Sequence, residues 1–155
     1  MPAFVTIGRV LFAVLFIFSG ASKLLDIAAT TQAIAGKVIL PPELATYTLQ
    51  IESATGMSFA QLLAILAGGL ELIGGLLIAL NFGARFFSVL LILFVIVATY
   101  YFHDFWNQTG PEARGNMIHA LKNLSLIGGL LMIVGIGRPA RAAAPAYAEP
   151  LSPGY

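Results

Sequence analysis

The sequence predicts an all-α membrane protein: a four-transmembrane-helix bundle built from two parallel-repeat helical hairpins, plus a short amphipathic outer-loop helix. Three observations carry this reading. The chain is 59% hydrophobic and 10% charged over 155 residues, whereas soluble domains carry about a quarter charged residues. Four apolar runs, about 4–25, 60–80, 86–102 and 118–136, each approach the ~20 residues that take a helix across a bilayer. Finally, Leu70-Glu71-Leu72-Ile73-Gly74-Gly75-Leu76-Leu77 returns 54 residues later as Leu124-Ser125-Leu126-Ile127-Gly128-Gly129-Leu130-Leu131, which marks a duplicated hairpin.

The first run resembles a cleaved signal in its small residues Ser19-Gly20-Ala21-Ser22. Its charged start is thin, with Arg9 alone, and the apolar stretch continues through Leu25, so it reads as a retained helix. The outer loop from Asp26 to about Phe59 is too long for a bare connection. Pro41-Pro42-Glu43 opens a helix with proline in its first turn, and Leu44, Tyr47, Thr48 and Ile51 follow at helical spacing. A surface-lying amphipathic segment and a loosely packed loop carry about equal weight there.

Helices two and four hold Gly68, Gly69, Gly74, Gly75, Gly128 and Gly129, which favours close backbone packing. The third run begins Arg85-Phe-Phe-Ser-Val-Leu-Leu, similar to Arg9-Val-Leu-Phe-Ala-Val-Leu of the first. The halves are therefore parallel repeats about the membrane normal. Residues 1–138 form the transmembrane domain, and 139–155 form an Ala/Pro-rich cytoplasmic tail whose prolines prevent a stable helix.

Arg9, Arg85, Arg138 and Arg141 fall on one side, and Lys37 and Arg114 on the other. By the positive-inside rule both termini are expected in the cytoplasm. The net charge of +1, without a basic tract, gives no sign of nucleic-acid binding. With no cysteine, thiolate chemistry is excluded, and His103 and His119 with Asp104 define no metal site.

The candidates for chemistry are the polar residues of the outer half. Glu71 lies about 15 Å below the outer end of helix two. The duplication replaces Gly68 and Gly69 by Lys122 and Asn123, and Glu71 by Ser125. Because a lone buried carboxylate is costly, Glu71 is expected to pair with Lys122, either as an ion pair fixing register or, with less weight, in proton transfer. Lys23 is expected to snorkel to the headgroups; pointing inward, it would join one polar layer with Glu71, His103, Asp104, His119, Lys122 and Asn123, opening outward as a pocket.

Trp106, with Tyr100 and Tyr101, fits an aromatic belt. His103 and His119 are expected at similar depth on adjacent helices; bis-histidine haem ligation is geometrically permitted there, with hydrogen bonding near the headgroups the weightier reading. His119, Lys122 and Asn123 share one helix face that could hydrogen-bond a quinone carbonyl. Catalytic candidates are thus Glu71, His103, His119 and Lys122, and cofactor-binding candidates His103, Trp106, His119, Lys122 and Asn123. No metal is expected.

Gly20-Ala21-Ser22-Lys23-Leu24, Glu71-Leu72-Ile73-Gly74-Gly75, Phe102-His103-Asp104-Phe105-Trp106 and Lys122-Asn123-Leu124 through Leu131, taken together, resemble the DoxX family over roughly residues 6–138. The resemblance implies a bacterial inner-membrane four-helix protein acting as a subunit or partner of a quinone-linked membrane oxidoreductase. It supplies no settled catalytic residues. The alternative is a non-catalytic accessory subunit packed against a larger membrane complex. Stand-alone catalysis is disfavoured, since the chain shows no nucleophile with its base and no nucleotide loop.

Overall fold

A computed structural model describes residues 3–136. The expected tail at 139–155 and the domain boundary at 138 lie outside them. The described chain is helical throughout, with elements α1 (Ala3–Leu25), α2 (Ile27–Ala35), α3 (Ala45–Thr55), α4 (Phe59–Ala79), α5 (Ala84–Phe102) and α6 (Gly110–Ile136). Helices α1, α4 and α6, and α5 with its short 3-10 extension, are long and apolar enough to span a bilayer. Phe18, Leu66, Leu93 and Leu124 turn outward from these four spans. In water such surfaces would drive aggregation, whereas in lipid they are solvated.

The main pairings are α1 with α4 and α5 with α6, joined through α4 and α5. These are the two hairpins of the duplication. Between α4 and α5 the chain turns at Asn81 and Gly83, both at φ 59°, a left-handed conformation that glycine and asparagine adopt most readily. We define the inner end of the bundle as the end where α1 starts. An apolar core of Ala13, Phe16, Ile78, Leu91, Val95 and Leu130 fills the inner half. Glu71, Thr99, His103 and Asn123 lie in the outer half, while Ser88 is buried in the inner half.

Two features depart from the sequence-based expectation. The outer connection holds two helices rather than one. After α1 the backbone breaks at Asp26 (φ −129°, ψ 70°), whose side chain accepts from Ala29 N–H at 3.0 Å and caps α2. Helix α2 packs along the outer part of α4 and buries Ile34. The proline-initiated helix is α3, entered through a 3-10 turn at Pro42–Leu44; Leu44 of that turn and Tyr47, Leu49 and Ile51 of α3 are exposed, and Leu49 lies off the stripe formed by the other three.

Helix α6 also starts eight residues before the expected 118, at Gly110. Gly110-Pro111-Glu112 is a helix start, with proline and an acid in the first turn. Its polar first two turns hid it from a hydropathy reading. Of all α6, only Leu130 is fully buried, so this helix is the periphery of the bundle.

Candidate functional site

Glycine contacts set the geometry of the outer half. A Cβ on Gly20 would stand 2.6 Å from the Gly68 carbonyl oxygen and against the Leu72 amide, so α1 and α4 touch backbone to backbone. That contact brings Lys23 alongside Glu71. The Lys23 Nζ lies 2.6 Å from Glu71 Oε2 and donates to Ser19 Oγ at 2.6 Å, while Ser19 Oγ donates to Glu71 Oε1 at 3.0 Å. Glu71 is only 5% exposed. The carboxylate is thus held on both oxygens by α1.

This overturns the expected Glu71–Lys122 coupling. The glycine face of α4 selects α1 as its neighbour, and Lys122 projects from the exposed side of α6. The expectation that Lys23 snorkels is corrected for the same reason: its head turns inward to the ion pair.

The second cluster sits where α5 hands over to α6. His103, at the end of α5, stacks on His119 of α6 with ring centroids 5.0 Å apart and planes 15° from parallel. From His103 a directed chain of hydrogen bonds runs outward. Gln108 Nε2 donates to Asp104 Oδ1 at 3.0 Å, Asn116 Nδ2 donates to Gln108 Oε1 at 2.7 Å, and His103 Nδ1 lies 3.1 Å from Asn116 Oδ1. An ionised carboxylate only accepts, so Asp104 orients Gln108, Gln108 orients Asn116, and the Asn116 oxygen requires a proton on His103 Nδ1. This assignment leaves a lone pair on Nε2 of the neutral ring. Lys37 approaches Asp104 at 4.0 Å from the outer loop.

Of the three residues expected to share one face of α6, only His119 takes part in this cluster. Asn123 turns toward α5 and donates to Thr99 Oγ1 at 2.9 Å, and Thr99 in turn donates to the Val95 carbonyl at 2.6 Å. Trp106 is half exposed in an aromatic group with Tyr100 and Phe105, at 5.9 and 5.2 Å. The single polar layer of the sequence reading is therefore divided into an ion-paired site between α1 and α4, an amide-imidazole cluster at the α5–α6 junction, and the Asn123–Thr99 bond beneath it. The two imidazoles stack face to face. Among the described residues no group of three or more His, Cys, Asp or Glu could hold a metal ion.

Sequence reasoning missed Gln108 and Thr99. Gln108 was detectable as an amide four residues after Asp104. Thr99 was hidden inside an apolar run, where a hydroxyl bonded to the preceding turn looks like packing.

Four apolar spans, a buried ion pair between α1 and α4 and a polar cluster at the outer ends of α5 and α6 define a multi-pass membrane protein. The DoxX family model matches residues 4–104, and the chain belongs to the DoxX family. It is also 27% identical over 136 residues to "Inner membrane protein YphA" of Escherichia coli (strain K12), an alignment covering 88% of this chain and 84% of that protein. No solved structure matches the chain.

Proposed function

We propose that this protein is a quinone-linked partner subunit of an inner-membrane oxidoreductase, with the His103–His119 pair as its quinone contact. The observation that carries this reading is the directed chain from Asp104 through Gln108 and Asn116 to His103. It fixes the histidine tautomer at the outer ends of α5 and α6, which a merely structural cap has no need of, and this supports a contact with a quinone head. Nε2 of His103 is an acceptor suited to a quinol hydroxyl, and it can hold a proton there while Nδ1 stays bonded to Asn116. A bound quinone would supply the two-electron couple that the chain lacks. His119 covers one face of the His103 ring and restricts its rotation.

The test is photolabelling with an azido-quinone in proteoliposomes. Labelling is expected at the outer ends of α5 and α6, with His103→Ala weakening binding about fivefold, the worth of one hydrogen bond of about 1 kcal/mol. Equal labelling of wild type and His103→Ala would remove this reading.

A second reading, a non-catalytic accessory subunit, draws on α6. Its apolar stretch is nearly unburied and carries an exposed Lys122 within the span, an arrangement that favours a protein neighbour over lipid. In either case the termini face the cytoplasm. Because the chain has no cysteine, single-cysteine labelling is clean: Gln50→Cys is expected to react with an impermeant maleimide in intact cells, and Asn81→Cys only after lysis. The reverse pattern would invert the topology.

A further inference from the structure

The opposite end of the bundle holds a cavity of about 590 Å³ that neither the ion pair nor the histidine cluster uses. It lies at the inner end, between α1 and α6 and beside the α4–α5 turn, where Arg9, Arg85 and Asn81 join apolar walls that include Met132. We propose that this cavity binds a membrane phospholipid with an anionic headgroup, its phosphate held by Arg9 and Arg85 and an acyl chain lying along the apolar wall.

Four observations point to this occupant. First, the volume falls in the range of small-molecule sites. Second, among the described residues both charged lining residues are arginines and none is acidic, and planar guanidinium groups match phosphate oxygens bidentately. Third, Arg9 stands six residues into α1, about 9 Å along its axis, and is half-buried. A cation at that depth meets the phosphate layer from below, as arginines near the ends of spans do.

Fourth, the cavity lies at a gap between α1 and α6. Helices α1 and α6 are not a main packing pair. They meet where the Phe12 ring lies over Gly129, with Cζ 3.0 Å from the position a Cβ would take. That contact limits the cavity on its outer side, and an acyl chain would occupy the gap below it. A soluble anion would gain nothing from the apolar wall, which is why a lipid is favoured over free phosphate.

The experiment is native mass spectrometry of the full chain released from nanodiscs containing equal amounts of phosphatidylglycerol and phosphatidylcholine. Retention of one phosphatidylglycerol is expected, at least tenfold over phosphatidylcholine. Arg85→Gln should lower that preference about tenfold, and Arg9→Gln/Arg85→Gln should abolish it. Arg85→Lys, which keeps the charge but not the fork, should fall between. Because Arg9→Gln could disturb folding, Arg85→Gln, on an exposed side chain, decides the matter by itself. Equal retention of both lipids, an unchanged preference in Arg85→Gln, or loss of the bound lipid to millimolar inorganic phosphate would each overturn the proposal.

Discussion

Replacing Lys23 by methionine is expected to lower the unfolding midpoint of the purified protein by about 10 °C. The ion pair with Glu71 is 2.6 Å long, with the carboxylate side chain 6% exposed and the ammonium 29%. Removing one partner of a buried pair leaves the other charge uncompensated, at a cost of about 3–5 kcal/mol. For chains of this size each kcal/mol corresponds to roughly 2–4 °C. Glu71→Gln should cost less, because the amide can still accept from Ser19. The double variant Lys23→Met/Glu71→Leu should recover most of the loss, since apolar replacement of both charges removes the desolvation along with the attraction. Lys122→Met should stay within about 0.5 kcal/mol of wild type, as exposed positions usually do. Thermal unfolding of the four variants in one detergent checks the series. A Lys122 effect as large as that of Lys23 would contradict the α1–α4 pairing.

The second large effect concerns Gly20. A methyl group at this position meets backbone atoms of α4, the Leu72 amide and the Gly68 carbonyl, and backbone cannot rotate aside as a side chain does. Gly20→Ala is expected to force α1 away from α4 and cost about 1–3 kcal/mol. It should also pull Lys23 from Glu71, so the loss should be smaller in a Lys23→Met/Glu71→Leu background, a non-additivity that marks shared structure. Gly128→Ala is the matched control. Its Cβ would meet nothing within 4 Å, and alanine is the better helix former by about 1 kcal/mol. Unchanged or higher stability is expected there, while a drop equal to that of Gly20→Ala would mean that α6 packs more closely than described.

These two glycines show how far the sequence could be read. The repeated Gly-Gly pairs announced duplicated helices, and the four spans follow from hydropathy alone. The duplication does not tell which neighbour each copy meets. Gly75 lies against Ile17 and Phe16 of α1, whereas its counterpart Gly129 lies under the Phe12 ring of the same helix, and Gly74 meets Leu91 while Gly128 meets nothing. The two hairpins have equivalent sequences and unequal surroundings. Glu71 was legible as a residue requiring a partner, but the choice between Lys23 and Lys122 depended on helix rotation, which the Gly20 contact sets. Helix α2 escaped notice because its nine residues are too few for a span. At the outer boundary the histidines stood out by type. The role of the amides in orienting them depends on the α5–α6 junction, which places Gln108 and Asn116 side by side.

The measurement that tests the proposed function most directly is native mass spectrometry of the chain gently extracted from its own membranes at native expression, compared with His103→Ala. The expected result is a quinone mass retained on the wild-type chain, or on its assembly with an oxidoreductase, and depleted in the variant. A quinone-free wild-type chain recovered within an assembly that His103→Ala leaves intact would contradict it, and would make the protein an accessory subunit whose histidine cluster only ties α5 to α6.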